Sequence, residues 1–252
     1  VFAAAACLAA LAAVAQEQSR APFFATPQDV VERMLALAQV GADDVVVDLG
    51  SGDGRIVIAA ARQFGARGVG IDLDASSVAT ARENARSAGV AERVRFIQGD
   101  VLTAPISQAT VVTAYLLPDL MWRLSPRFIA ELRPGTRVVS HEFGLPGWRP
   151  DRVETLEVNS PHPGQPGTST LYLWIVPADV RGAWRSAEQR VTIMQSYQHI
   201  DVEGARAASL TGRDVAWESA LGRFQGHVEG DRIVGRLEQP GGSRALTFVR
   251  ER

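Results

Sequence analysis

The sequence predicts an α/β protein: a doubly wound, seven-stranded, mostly parallel sheet followed by a small C-terminal antiparallel β domain. Three observations carry this reading. Between Val45 and Phe143, near-continuous apolar runs alternate with helical stretches, the pattern of a parallel sheet covered on both faces. The first run enters its helix through Asp48-Leu49-Gly50-Ser51-Gly52-Asp53-Gly54, a turn rich in glycine and acid at the edge where such sheets bind ligands. After Pro177 the helical period disappears, and short strands separated by glycine turns take over.

The elements follow in order. Thr26 reads as the N-cap of a first helix, with Pro27 at the first helical position and Asp29 in a capping-box-like place. Val30, Val31, Met34, Leu35 and Ala38 recur at helical spacing, and Gly41 ends the run. Strand Val45–Leu49, helix Gly54–Phe64, strand Arg67–Asp72 and a helix over Ala75–Ala88 closed by Gly89 come next. Arg93–Gln98 and Ala109–Leu116 read as strands, Asp119–Leu132 as a helix stopped by Pro134-Gly135, and Thr136–Phe143 as a fifth strand. Arg152–Val158 and Ser169–Val176 are strands joined by a Pro/Gly loop without a helix, so they should pair antiparallel. A domain spanning 21–177 and a β-rich unit spanning 182–252 are expected, with the boundary near Val176–Arg181. In the latter, Glu229-Gly230-Asp231 signals a hairpin, and Trp184, Tyr197, Trp217 and Phe224 are expected in its core.

Residues 1–15 form an uncharged apolar run ending Ala13-Val14-Ala15 before Gln16. Fifteen residues fall short of the about 20 that span a bilayer, and the small-x-small ending matches a signal-peptide cleavage site. A signal peptide or N-terminal anchor is therefore expected. It would place the protein in the cell envelope, with the cytoplasmic face of the membrane as the alternative. The single cysteine, Cys7, lies in this run, which leaves no disulfide framework and no cysteine-based zinc site. His162, His199 and His227 lack ligand spacing, so no metal is expected. A net charge of -2, with arginine supplying all 26 basic residues, argues against a broad nucleic-acid footprint, and no nucleic-acid partner is expected.

The turn after the first strand excludes two common ligands. It reads G-x-G-x-G where a dinucleotide fingerprint reads G-x-G-x-x-G, and a phosphate-binding loop needs a lysine, of which the chain has none. Pyrophosphate avoids neighbouring carboxylates, whereas Asp48 and Asp53 flanking the turn suit a positively charged ligand. S-adenosylmethionine is such a ligand. Asp72, at the end of the second strand, is placed to accept both ribose hydroxyls, Asp100 after the third to hold the adenine amino group, and Asp48 to help hold the methionine ammonium. Asp53 most simply caps the next helix, with contact to the ligand as the alternative. The expected cofactor-binding set is Thr26, Asp48, Gly50, Ser51, Gly52, Gly54, Asp72, Asp100 and Tyr115.

With these residues in place, the chain resembles a class I S-adenosylmethionine-dependent methyltransferase of Rossmann-like fold over roughly Pro22 to Val176. The stretches "ATPQDVVERML", "VVDLGSGDGRIVIAAA", "VVTAYLLPDLM" and "ELRPGTRVVSHEFGLPGW" are similar to the protein-lysine methyltransferase family that includes the mitochondrial ATP synthase c-subunit lysine methyltransferase. That resemblance implies N-methylation of a lysine on a protein partner, a membrane-associated protein being among the candidates. The β-rich tail departs from the family. A small-molecule acceptor, or an exported binding module that keeps only the fold, are the alternative readings.

The acceptor end is expected at Tyr115-Leu116-Leu117-Pro118, which lacks the Asn/Asp-Pro-Pro-Tyr/Phe clamp of base-modifying enzymes. Tyr115 is expected as pocket wall or hydrogen-bond partner, and Asp119 either attracts a cationic acceptor or complements its helix dipole. His141 and Glu142 are expected to end the fifth strand facing opposite ways. Glu142 is expected to orient the acceptor, and His141 to be a hydrogen-bonded core residue or a proton acceptor.

Overall fold

The structure, a computed structural model, describes residues 25–159 and 167–251. The apolar segment 1–15 with Cys7, and with it the signal or anchor reading, lies outside the described residues, as does His162.

The first layer system comprises α1 (Gln28–Leu37), β1 (Val45–Leu49), α2 (Arg55–Phe64), β2 (Arg67–Asp72), α3 (Ala75–Ser87), β3 (Val94–Gln98), β4 (Val111–Ala114), α4 (Pro118–Glu131), β5 (Arg137–His141), β6 (Arg152–Glu157) and β7 (Thr168–Ile175). Its strands lie in the order β3-β2-β1-β4-β5-β7-β6. The first five are parallel; β7 runs antiparallel to β5 and pairs antiparallel with β6. Strand order reverses at β1, between β2 and β4. This is the switch point where an open α/β sheet leaves a crevice for a ligand. The central strands are apolar and buried because helices cover both faces, with Val46, Val47, Val111, Val112, Val138 and Val139 fully inside.

Local chemistry moves several boundaries. Pro27, not Thr26, is the N-cap of α1, without a side-chain cap bond; the Thr26 hydroxyl is drawn away to His141 Nδ1 at 3.3 Å. Asp29 does not close a capping box either: its carboxylate accepts from the Val30 amide and from Asn159. The helix stops at Leu37 as Gln39 turns left-handed (φ 51), while Gly41 belongs to a later turn and donates to Asp44 Oδ2 at 2.8 Å. Gly54 (φ 82) is the N-cap of α2, and Asp53, one residue before it, caps from outside: its Oδ1 accepts from the Arg55 amide at 3.2 Å while its carboxylate also pairs with the Arg55 guanidinium. Asp74 caps α3, accepting from the Ser76 and Ser77 amides.

The second sheet holds β8 (Gly182–Arg185), β9 (Arg190–Ser196), β10 (His199–Val202), β11 (Ala205–Thr211), β12 (Asp214–Ser219), β13 (Gly222–Glu229), β14 (Arg232–Gln239) and β15 (Gly242–Arg250), ordered β10-β9-β8-β15-β14-β13-β12-β11. Its outermost strands β10 and β11 are joined by the short turn Glu203-Gly204, so the antiparallel sheet curls until its edges meet as a small barrel. Gly230-Asp231 closes the β13–β14 hairpin, with Glu229 opposite Arg232. The interior is filled by side chains, among them Trp184, Trp217, Phe224, Leu237 and Phe248. Tyr197 is the exception to the expected aromatic core: it sits half-buried at the β9–β10 turn and points out of the barrel onto Trp148.

Phe224 shows why this sequence fills a barrel. Its ring lies 4.3 Å from Trp217 and 5.2 Å from Phe248 between centroids. Gly226 and Gly235, opposite each other on β13 and β14, leave the space it occupies: a Cβ on either would come within 2.7 Å of the ring. Phe224→Ala is expected to cost about 3–5 kcal/mol in the barrel. Denaturant unfolding followed by tryptophan fluorescence measures it, and a loss under about 1 kcal/mol would contradict the packing described.

Candidate active site

The crevice is built around the turn Gly50–Gly54. Gly50, Gly52 and Gly54 all have positive φ (79, 51 and 82), a conformation open to glycine at little cost. Gly50 is doubly constrained, because a Cβ there would lie 2.7 Å from Leu116 Cδ2. That contact also shows that the segment after β4 lies directly on the glycine turn. The Gly50 and Ser51 amides donate to the Ile71 carbonyl, and Gly52 N donates to Asp72 Oδ2 at 2.8 Å. The other Asp72 oxygen accepts from Asp74 N at 2.9 Å, so one carboxylate ties the turn after β1 to the turn after β2.

Asp48 is buried at the end of β1, and Thr113, its neighbour in register on β4, donates to Oδ1 at 2.7 Å. Burial pushes the Asp48 carboxyl up to about 7; Thr113 opposes that shift, and the Asp72 and Asp53 carboxylates add to it. Asp53 is held by the Arg55 guanidinium at 2.6 Å, and a second arm of Arg55 donates to the Thr26 carbonyl at 2.8 Å. Asp100 is exposed after β3 and accepts from Leu102 N at 2.9 Å, which opens the short turn that follows. Three of these four carboxylates, Asp48, Asp53 and Asp72, therefore lie near one another at the glycine turn. The Ser51 hydroxyl lies buried there with no hydrogen-bond partner among the described residues. A cationic ligand with polar atoms of its own fits this donor set, as S-adenosylmethionine requires.

The end expected to receive the acceptor is more aromatic than the sequence indicated. Tyr115 packs on His141 with ring centroids 4.1 Å apart and stacks on Phe143 at 6.4 Å. His141 is buried, with Nδ1 on Thr26 and Nε2 on the Ser169 hydroxyl at 2.9 Å. Burial lowers its pKa to about 4, so the ring is neutral near pH 7 and serves as a hub joining α1's entry, β5 and β7. The expected alternation at the end of β5 does not occur. The strand stops at His141, Glu142 takes φ 66, and Phe143 N bonds back to the His141 carbonyl at 2.9 Å, a γ-turn of the rare positive-φ form. This folds Glu142 towards its neighbour instead of away from it: Oε1 lies 3.4 Å from His141 Nε2 and accepts from Thr170 N at 3.3 Å.

Asp119 is exposed in the first turn of α4, and no described residue forms a salt bridge with it. Trp122, three residues on and 64% exposed, joins it on that helix. Sequence periodicity passed over Trp122, Phe143 and Ser169. Exposure of a tryptophan one turn from the acceptor segment was the only available signal, and it is a tertiary one. Among the described residues no three His, Cys, Asp or Glu side chains group as a metal site would require.

Comparison with known proteins places this geometry. A family model described as the ANTKMT methyltransferase domain matches residues 48–152. A protein-lysine N-methyltransferase of Saccharolobus islandicus (strain REY15A) is 41% identical over 156 residues, which is 62% of this chain and 93% of the relative. The ATP synthase c-subunit lysine N-methyltransferase of Xenopus laevis is 38% identical over 109 residues, 43% of this chain and 48% of the relative. A crystal structure described as an RNA methyltransferase from Salinibacter ruber, in complex with S-adenosyl-L-homocysteine, is 51% identical. It covers 62% of this chain and 96% of its own, with a TM-score of 0.56. Strand order, glycine turn and near-complete coverage of the Saccharolobus enzyme agree: the chain belongs to the class I S-adenosylmethionine-dependent methyltransferases, in the family of the ANTKMT methyltransferase domain.

Proposed function

We propose that this methyltransferase acts on the side-chain nitrogen of a lysine in a protein. The observation that carries the reading is its 41% identity to a protein-lysine N-methyltransferase of which the chain covers 93%. Asp48 would hold the methionine ammonium, Asp72 the ribose and Asp100 the adenine, with Thr26, Gly50, Ser51, Gly52, Gly54 and Tyr115 completing the cradle. When bound, S-adenosylmethionine supplies a methyl group on a positively charged sulfur, open to in-line displacement.

The protein's task is then orientation and exclusion of water. Tyr115, His141 and Phe143 form an aromatic wall, and Glu142, turned inward by its γ-turn, presents a carboxylate to an arriving amine. A neutral His141 adds no positive charge against a cationic acceptor. Asp119 and the exposed Trp122 supply a carboxylate and an aromatic face that attract a cation near the entrance. The first fifteen residues, read as an export signal or anchor, would place the acceptor among proteins of the cell envelope.

The Salinibacter ruber description makes RNA the reading to test against. The Tyr115–Pro118 segment lacks a polar clamp for a planar base, and the net charge of -2 offers no broad phosphate footprint. Incubation with S-adenosylmethionine tritiated in the methyl group and an envelope extract, followed by acid hydrolysis, should recover label as methylated lysine. Label that disappears on ribonuclease treatment and persists on protease treatment would overturn the proposal. Label confined to small molecules would move the acceptor to a metabolite.

A further inference from the structure

The barrel touches the methyltransferase sheet at a place that matters for the acceptor. Strands β1, β4 and β5 are parallel, so the loop 142–150 after β5 leaves the same edge as the glycine turn. Its first residues, Glu142 and Phe143, form the acceptor wall, and its far end carries Trp148, which is buried. Tyr197, from the barrel's β9–β10 turn, stacks on Trp148 with centroids 5.4 Å apart and planes 7° from parallel. Its neighbour Gln198 donates from Nε2 to the Arg149 carbonyl at 2.6 Å. From the sheet side, Trp174 Nε1 donates to the Trp148 carbonyl at 2.8 Å. The loop is thus gripped from two sides.

The grip is stiff on the barrel side as well. Tyr197 is one of three described non-glycine residues with positive φ (54). Its carbonyl accepts from Gln195 Nε2 at 2.7 Å; the same nitrogen donates to the Ala178 carbonyl, and Gln195 Oε1 accepts from Val180 N. Gln195 therefore binds the β9–β10 turn to the linker that joins the two sheets. At the other end of the loop, the positive φ of Glu142 is a conformation that persists only where its surroundings over-determine it. A strained residue at one end and an aromatic anchor at the other are what a loop held for a purpose requires.

We propose that Tyr197 is a positioning residue for methyl transfer: through Trp148 the C-terminal barrel clamps the loop after β5, keeps Glu142 and Phe143 at the acceptor end, and so tunes which lysine-bearing proteins are accepted. The clamp stands on geometry alone, while its consequence for the acceptor rests on the lysine reading. The chemistry of transfer is expected to be untouched, because Tyr197 meets the loop at Trp148, six residues along it from Glu142.

The test uses the full chain with Tyr197→Ala, Tyr197→Phe and the milder Gln198→Ala. Hydrogen exchange of the 142–150 amides, calorimetric S-adenosylmethionine binding, and labelling of an envelope extract across a range of concentrations are compared. In Tyr197→Ala, exchange of the loop should accelerate about tenfold or more while β1 and the barrel strands keep their protection. The extract concentration for half-maximal lysine labelling should rise at least about fivefold, with cofactor affinity within about twofold of the parent. Tyr197→Phe should restore all three, since the stack needs the ring and not the hydroxyl. Unchanged loop exchange in a folded Tyr197→Ala, or in Gln198→Ala if the alanine variant at 197 does not fold, would overturn the clamp. Faster exchange with unchanged labelling would overturn its role in acceptor choice. A parent that labels no lysine would sink the lysine reading, and the exchange result would still decide the clamp.

Discussion

Asp72→Ala is expected to weaken S-adenosylmethionine binding by about 100-fold or more, roughly 3 kcal/mol, without unfolding the protein. The carboxylate holds Gly52 N at 2.8 Å and Asp74 N at 2.9 Å, so it fixes the glycine turn and the start of α3 in relation to each other. It is also the acid proposed to accept from the ribose diol of the cofactor. Alanine removes both functions, and hydrogen bonds to a charged group contribute about 1.5–3 kcal/mol each. The fold should survive because the strands beneath are held by their apolar residues, Val46, Val47, Leu49 and Ile71 among them. Asp72→Asn keeps one carbonyl acceptor, so an intermediate loss of about tenfold is expected. Calorimetric titration of the parent and both variants is the measurement. An alanine variant that binds within about threefold of the parent would remove Asp72 from the site.

Asp48 should make cofactor binding depend on pH, with a sign that follows from its burial. Desolvation chiefly, with the charges of Asp72 and Asp53, raises its pKa from 3.8 to about 7. An ammonium group favours the ionised form, so binding draws a proton off Asp48 whenever the pH is below that value. Affinity should therefore rise with pH, by up to about tenfold per unit below 7, and level off above it. Titrations at pH 6 in buffers of different ionisation enthalpy should show proton release on binding, and Asp48→Asn should abolish both the release and the slope.

Stability runs the other way. The folded state retains the Asp48 proton between about 3.8 and 7 while the unfolded chain loses it, so this group's stabilising contribution is full below 3.8 and is lost as pH rises through 7. At pH 8 the ligand-free Asp48→Asn variant should melt higher than the parent while binding the cofactor less well. Such opposition is expected where a charge is kept buried for function. A variant both less stable and equally competent to bind would contradict the assignment.

Much of this was readable from the chain. Strands β1 and β2 lie where their apolar runs end, and the hairpin at Gly230-Asp231 falls where glycine and alternation place it. Local errors came where a side chain had a distant alternative. Thr26 has the chemistry of an N-cap, yet its hydroxyl bonds to a histidine 115 residues away. Asp53 behaves as expected by comparison: although Gly54 holds the N-cap position, Asp53 accepts from the first amide of α2, that of Arg55, and pairs with the same residue's guanidinium. The alternation rule for His141 and Glu142 failed because it holds only inside a strand, and the strand ends between them.

The sequence by itself determined the parallel sheet, the antiparallel tail and the glycine turn with its acids, because each rests on short-range periodicity or on a backbone angle that glycine alone adopts easily. Only the tertiary structure decided that His141 is neutral, that Asp48 holds its proton to about 7, that Glu142 folds back onto His141 and that Tyr197 leaves the barrel to stack on Trp148. Those outcomes depend on desolvation and on contacts between residues far apart in the chain, and neither exists until the sheet has closed around them.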